Sequence, residues 1–331
     1  MSDDVREMGG IRRLWLSPRV QFYKPEIFAT AALVALVLFL SLYPKTTESF
    51  INTGNFMNVT RQVSMNGIIA CGMTFAILMG GIDLSVGSVV AVAGMIAGDC
   101  MMRVGLSVPV SIIIAILGGS LFGVFNGVIA AYTNVPPFIA TLGSMSIARG
   151  LALLFRAGYA ISDLPETFNI LGQGQIFAIP YATIILVVMI LFSWFLLHKT
   201  IFGRCVFALG WSRETLRLSG INIKWVKVRI FTFVGFCSAL AGVLMASRVG
   251  SAQPMVGAGW EMDAIAAVVI GGGNIAGGRA TMVGTIIGAF LLGFLSNGLN
   301  LMGVSPYLQN IFKGIVILVA VFLRSGWSEK R

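Results

Sequence analysis

The sequence has few charged residues for its length. Of its 331 residues only 11% are charged, whereas 57% are hydrophobic and the mean hydropathy is +0.90. Soluble domains carry about 25% charged residues, so this composition excludes an ordinary soluble domain. Apolar runs of about 18 residues or more recur along the chain, and each can cross a hydrocarbon core about 30 Å thick. The sequence predicts an all-α polytopic membrane protein, because a membrane barrel shows short alternating segments instead.

Residues that carry out catalysis or bind metals are also scarce. The only histidine, His198, stands at the end of an apolar run, and neither paired carboxylates nor metal-ligand spacings occur. The phosphate-binding pattern Gly-x-x-x-x-Gly-Lys-Ser/Thr is absent. The scattered cysteines are expected to be packing residues: Cys71, Cys100, Cys205 and Cys237. We therefore expect no enzymatic activity and no cofactor in this chain.

The basic residues are concentrated in the two tails and in one central segment, and the net charge is +10. Short segments rich in Lys and Arg stay on the cytoplasmic side of a membrane. The pattern thus indicates topology and not nucleic-acid binding. The N-terminus has no signal-peptide cleavage pattern, so the apolar run 27–43 is expected to be a retained span.

This charge pattern divides the chain into membrane and cytoplasmic parts. With both tails and the central segment inside, the number of crossings on each side of that segment must be even. We predict about ten transmembrane helices, six before the central segment and four after it. The predicted parts are a cytoplasmic tail (1–26), a first transmembrane half (27–197), a cytoplasmic coupling loop (198–229), a second transmembrane half (230–323) and a cytoplasmic tail (324–331).

The central segment 198–229 is the longest polar interruption. It carries seven basic residues and one acid, Glu214. Within it, residues 211–218 are predicted to form a short helix, with Ser212 as its N-cap and Gly220 as its end. Such a helix suits a docking surface for a soluble partner, and a solvated connector between two membrane halves fits the same signals.

A weak internal repeat links the two halves. Gly80-Gly81-Ile82-Asp83-Leu84 is similar to Gly271-Gly272-Gly273-Asn274-Ile275, and Asn126-Gly127 is echoed by Asn297-Gly298. The number of residues between the Gly-Gly motif and the Asn-Gly motif differs between the two halves by about the length of one membrane-crossing helix. Repeated halves with Gly-broken helices are typical of transporters, although Gly-rich helices also match by chance. Parallel and inverted relations both remain open.

Asp83 is the most informative acid because it lies between two apolar runs. An ionised carboxylate in a membrane usually faces a cavity or a partner, which suggests a translocation route. We favour the alternative, a helix N-cap, because Asn274 takes the corresponding place in the repeat. Asn126 and Asn297 could bind a polyol or simply join helices. Three basic residues in or near apolar runs are expected to extend towards a membrane surface, or to be neutralised by a helix C-terminus, and not to bind substrate: Arg149, Arg279 and Lys313.

Several motifs together resemble the permease subunits of bacterial ABC sugar importers, with the ribose-type permeases as the most similar class. The resemblance covers roughly residues 50–323. Its motifs are Gly80 to Gly87, Gly203-Arg204 through Ala208-Leu209-Gly210, Leu218-Ser219-Gly220-Ile221, and Asp263 to Gly272. The chain departs from the family at Gly210-Trp211-Ser212, where Gly-Gly-Asn is usual.

The resemblance implies an inner-membrane permease, homodimeric or paired with a related permease, that moves a monosaccharide such as ribose. It also implies a cytoplasmic ATP-binding subunit, which would hold ATP and Mg, and a periplasmic sugar-binding protein. Coupling to the ATPase would involve residues of the central segment: Gly203, Arg204, Ser212, Arg213, Glu214, Arg217 and Gly220. The main rival is an ion-coupled secondary transporter of a small polar solute, for which Asp83 is the strongest candidate ion site.

Overall fold

The computed structural model describes residues 18–44 and 46–328, and within them the chain forms fourteen helices and one two-stranded hairpin. The helices are α1 (Pro18–Leu42), α2 (Thr47–Phe50), α3 (Thr53–Leu78), α4 (Val86–Met102), α5 (Val108–Tyr132), α6 (Pro137–Leu154), α7 (Glu166–Gln173), α8 (Tyr181–Lys199), α9 (Ile201–Trp211), α10 (Arg213–Leu218), α11 (Ile223–Val249), α12 (Trp260–Ile270), α13 (Met282–Leu301) and α14 (Pro306–Ser328). Strands β1 (Gln175–Ile176) and β2 (Ile179–Pro180) pair antiparallel between α7 and α8. Apart from this hairpin, the predicted all-α membrane architecture is confirmed.

Parts of the predicted tails are helical, and their assignment to the cytoplasm stays a prediction. Residues 18–26, which were assigned to the first tail, are the first turns of α1, and α14 extends to Ser328. The rest of the predicted tails, 1–17 and 329–331, lies outside the described residues.

Six of the described helices are long and apolar enough to cross a membrane. They are α1 from Tyr23, α5, α6, α8, α11 and α13. The prediction of ten crossings therefore stays a prediction. Two predicted spans correspond to shorter helices, α4 with 17 residues and α12 with 11. Both are short because they begin inside the bundle, after non-helical chain at 79–85 and 250–259.

The core is built around α11, which packs against α5, α4 and α3. Glycines allow the close approach. Gly123 of α5 faces the backbone of Phe231 and Thr232, and Gly242 of α11 faces Val90 of α4. Small residues at helix contacts are the usual way in which membrane helices gain packing energy.

The bundle has two ends, which α8 connects. Its last residue, Lys199, leads into α9 and α10, and we name this the basic end. The β1–β2 hairpin at the start of α8 marks the opposite end, the hairpin end. Between the ends, the outward face of α8 exposes large apolar side chains: Val187, Val188, Leu191, Phe192, Trp194 and Phe195. A surface of this kind on a helix of spanning length suits contact with lipid tails.

The central segment is more ordered than a polar connector. Most of 198–229 is helical, because α8 ends at Lys199, α9 and α10 follow, and α11 already begins at Ile223. The predicted short helix is confirmed as α10: Ser212 Oγ accepts a hydrogen bond from Thr215 N at 3.2 Å, and Gly220 has a φ of +74°. Trp211, predicted as its first residue, instead ends α9.

Candidate functional site

The two predicted helix breaks lie side by side at the basic end. Gly278 N donates a hydrogen bond to Leu78 O at 2.9 Å, and Gly80 faces Ala276 O. The end of α9 lies against both breaks, since a Cβ on Gly210 would meet the backbone of Leu78 and Gly278. We name this contact of Gly80, Gly210 and Gly278 the glycine junction. It joins the central segment directly to both broken helices.

The first break is fixed by a buried polar group, the Asp83 cluster of Asp83, Ser85, Asn126 and Thr141. Asp83 Oδ1 accepts from Ser85 N at 2.8 Å and from Ser85 Oγ at 2.6 Å. Asn126 Nδ2 donates to Ser85 Oγ at 2.8 Å, and Thr141 Oγ1 accepts from Leu84 N at 3.1 Å. The cluster therefore ties the break to α5 and α6.

The predicted N-cap role of Asp83 is wrong. The N-cap of α4 is Ser85, and Asp83 forms a side-chain turn two residues earlier. A short acidic side chain readily mimics a backbone turn in this way. Sequence patterns do not distinguish an Asp that forms such a turn from an Asp that caps a helix. Asp83 is 1% exposed.

The second break repeats this local turn. Asn274 Oδ1 accepts from Ala276 N at 3.3 Å, as Asp83 Oδ1 accepts from Ser85 N. Both breaks follow helices, α3 and α12, that run towards the basic end, so these two segments are related in parallel. The shared turn supports the repeat at the breaks.

The downstream anchors of the repeat are not equivalent. Asn126 lies near the basic end of α5, whereas Asn297 lies near the hairpin end of α13 and pairs with Asn55 of α3. The two amides exchange hydrogen bonds of 2.7 and 3.1 Å. The structure thus brings Asp83 and Asn126 together but leaves Asn274 and Asn297 elsewhere.

Inside the bundle the first turns of α4 and α12 meet, and this contact was not foreseen from the sequence. Gly87 lies against Gly257, and Glu261 Oε2 lies over Gly87. Arg149 Nη1 of α6 donates to Pro254 O at 2.6 Å and to Val256 O at 3.0 Å. We name Gly87, Gly257, Glu261 and Arg149 the half-helix junction.

The half-helix junction lies at an intermediate depth. Gly257 contacts Val90, and Val90 contacts Gly242 of α11. The hairpin end of α11 is at Val249, so the junction lies about 10 Å below that end at a rise of about 1.5 Å per residue.

Arg149, Arg279 and Lys313 each bind a partner within the protein, and their predicted extension towards a membrane surface stays a prediction. Arg149 binds carbonyls, as above, because backbone without helix partners offers acceptors. Arg279 pairs with Glu26 of α1 at 3.3 Å, and Lys313 of α14 pairs with Asp263 of α12 at 3.1 Å. Both ion pairs fasten the segment 260–281 to a neighbouring helix. In the sequence, Glu26 and Asp263 stand next to apolar runs. An acid in such a position could have indicated a partner for a basic residue within the membrane.

The residues named for coupling divide into two groups. Gly203 is buried in the first turn of α9, against the carbonyls of Leu196 and Leu197. The others lie on or beside the outer side of α9 and α10. Glu214 and Arg217 form a two-point ion pair of 2.6 and 3.1 Å in which the side chains are 61% and 70% exposed. The remaining members are Arg204, Ser212, Arg213 and Gly220.

Apolar side chains lie beside these charges. Trp211 is 81% exposed and Leu218 77% exposed, while Leu216 is buried and fixes α10 to the bundle. Exposed aromatic and charged groups on a short, anchored helix are the chemistry of a protein docking surface. Among the described residues, His, Cys, Asp and Glu do not gather in any group of three that could hold a metal.

Comparison with known proteins adds independent information. A family model described as "Branched-chain amino acid transport system / permease component" matches residues 55–321. The ribose import permease protein RbsC of Haemophilus influenzae is 43% identical over 302 residues, which cover 90% of this chain and 93% of that protein. The ribose import permease protein RbsC of Escherichia coli K12 is 39% identical over 312 residues, covering 93% and 97%. The xylose transport system permease protein XylH of the same strain is 31% identical, covering 91% of each chain. No solved structure matches the chain.

Proposed function

The chain belongs to the family of branched-chain amino acid transport system permease components, and on this premise we propose that it is the membrane subunit of an ATP-driven importer of ribose. It is an integral protein of the inner membrane and a transporter subunit, not an enzyme. Relatives at 43% and 39% identity are ribose import permeases, which supports ribose over xylose, whose permease is 31% identical.

The observation that carries this proposal is the link between the surface of α10 and the broken helices. Exposed charges and apolar groups lie on one side of α9–α10, and Gly210 contacts both glycine breaks on the other. A partner that moves α9–α10 would therefore move the breaks as well. This is the mechanical connection that an importer driven from outside the membrane requires.

The proposed assembly has three further parts. A cytoplasmic ATP-binding subunit, which holds ATP and Mg, would dock on α9–α10. A periplasmic sugar-binding protein would deliver ribose at the hairpin end. A second copy of this chain, or a related permease, would complete the path. We also propose ten crossings, with α4 and α12 each completing a crossing together with the non-helical chain before it.

The first prediction separates this function from the ion-coupled secondary transporter, which the family disfavours. In proteoliposomes holding the chain, its ATP-binding subunit and its sugar-binding protein, ribose uptake should continue when the proton gradient is collapsed at constant ATP. It should stop when ATP is removed, because the partner subunit then has no ATP with which to drive transport. The purified chain alone should hydrolyse no ATP, since it has no phosphate-binding loop. Loss of uptake on collapse of the gradient would support the rival.

The second prediction concerns docking. Glu214→Lys removes the acid of the exposed Glu214–Arg217 ion pair and places a third basic residue beside Arg213 and Arg217. It should therefore weaken binding of the ATP-binding subunit about thirty-fold, or about 2 kcal/mol. Loss of the helix's own ion pair costs only about 0.3–0.5 kcal/mol, so α10 should remain folded. Co-purification with the ATP-binding subunit measures the change.

Glu166→Lys is the matched control, because Glu166 is an exposed acid in the first turn of α7, near the hairpin end. It should bind the ATP-binding subunit as the unmodified chain does. Equal co-purification of the two variants would show that α10 is a connector and not a docking surface.

A further inference from the structure

The half-helix junction places two opposite charges inside the bundle without pairing them. Arg149 and Glu261 are half-buried, and none of the ion pairs among the described residues joins them. Charged side chains at membrane depth usually face a partner or a water-filled cavity, because exposure to lipid is costly. Arg149 and Glu261 are therefore expected to face a partner or water and not lipid tails.

Both side chains keep unused hydrogen-bonding capacity. Arg149 donates through Nη1 alone, to Pro254 O and Val256 O, so Nε and Nη2 have no acceptor among the described residues. Glu261 Oε1 accepts from Gly259 N at 3.3 Å, whereas Oε2 over Gly87 accepts from none of the described residues. Donors and an acceptor are thus available side by side.

The helix starts contribute further donors. The first N–H groups of any helix lack a partner within that helix. Ser85 makes no side-chain capping bond to α4, and the N-cap of α12 is Gly259, which has no side chain to make one. In transporters, substrate sites form where such interrupted helices begin near the middle of the membrane.

The charge balance indicates the class of ligand. Arg149 and Glu261 cancel, and the neighbouring pair Lys313 and Asp263 also cancels. An anionic solute would call for surplus positive charge and a cation for surplus negative charge. A neutral solute with several hydroxyl groups fits, because each hydroxyl can donate to a carboxylate and accept from a guanidinium.

We propose that the half-helix junction is a sugar-binding site on the transport path, where Glu261 accepts from one hydroxyl and Arg149 donates to another. This inference rests on the proposed importer function and adds to it the residues that contact the sugar. The second permease of the proposed assembly would enclose the path on this side and leave the junction open to water, because facing lipid would be costly for these charges.

Thiol labelling next to the intact site tests the proposal. Met255 and Met262 flank the junction and are 60% and 56% exposed. Each is replaced by cysteine in a Cys100→Ser chain, the other native cysteines being buried. In the reconstituted importer both cysteines should react with a membrane-impermeant thiol reagent. Ribose delivered by the binding protein should slow the reaction of at least one of them fivefold or more.

Two position controls fix the sides of the membrane. A cysteine at Phe177, the hairpin tip, should react from the hairpin side at a rate that ribose does not change. A cysteine at Ser212 should react from the cytoplasmic side alone. Absence of any reaction at Met255→Cys and Met262→Cys would overturn the proposal, because the face would then be sealed by lipid or protein.

Site variants then test the two residues themselves. Adding Glu261→Gln or Arg149→Gln to Met262→Cys should abolish the protection and lower ribose uptake at least tenfold. Arg156→Gln, an exposed basic residue just beyond α6, should change neither. Protection that survives both site variants would overturn the proposal. Failure of the unmodified complex to take up ribose would instead count against the proposed function, so the two failures are distinguishable.

Discussion

Gly210→Ala is expected to reduce ribose uptake at least a hundredfold while the ATP-binding subunit still binds. A Cβ at this position would meet Leu78 O, Gly278 N and Gly278 Cα. These are backbone atoms, so no side chain can rotate away and α9 must shift from the breaks. Overpacking of this kind costs about 1–3 kcal/mol. The glycine junction is the contact through which α9 reaches both breaks. Its displacement should therefore uncouple the movement of α9 from the movement of the breaks.

The measurement is uptake together with ATP hydrolysis in the reconstituted complex. Hydrolysis should continue without uptake. Gly150→Ala is the matched control, since Gly150 is a helical glycine on α6 and a Cβ there meets nothing within 4 Å. It should retain normal uptake, with a small gain in helix stability. Normal uptake by Gly210→Ala would show that movement is not transmitted through this contact.

Glu26→Ala is expected to lower the thermal unfolding temperature of the detergent-solubilised protein by about 3–6 °C. Glu26 is 6% exposed and accepts from Arg279 Nη2 at 3.3 Å and from Thr281 Oγ1 at 3.1 Å. Removal of one member of a buried ion pair costs about 3–5 kcal/mol, and partial exposure of Arg279 lowers this to about 2–4 kcal/mol.

Two variants control this prediction. Glu48→Ala removes an exposed acid beyond the other end of α1 and should leave the unfolding temperature unchanged. Glu26→Ala combined with Arg279→Met should recover part of the loss. The double variant replaces the basic side chain as well, so no charge is left without its acid. An unfolding temperature of Glu26→Ala equal to that of the unmodified protein would mean that the pair contributes nothing to holding α1 on the second break.

Local signals in the sequence were sufficient where the structure depends on near neighbours in the chain. Ser212 and Gly220 predicted the bounds of α10, since capping and a left-handed glycine act within a few residues. Glycines at 80–81 and 271–273 predicted where helices break, and the structure has both breaks. The excess of apolar residues predicted the membrane fold, because composition alone excludes a soluble core.

The same signals failed where a polar residue has its partner far along the chain. Asp83 was taken for a cap, but its environment is completed by Asn126, 43 positions away. For Arg279 the sequence indicates a membrane surface or a helix C-terminus, and it gives no sign of the partner Glu26, 253 positions away. Periodicity and charge runs describe one segment at a time and carry no information on such pairs.

By itself, the sequence determined the class of fold, the positions of the helix breaks and the short helix at the basic end. These depend on local backbone preference and on the cost of moving charge across a membrane. Only the tertiary structure decided that Gly210 touches both breaks, that Glu261 lies over Gly87 at the start of α4, and that Arg149 binds the chain just before α12. Those contacts arise when glycine-rich helices pack closely, and the packing depends on surfaces from segments that are far apart in the chain.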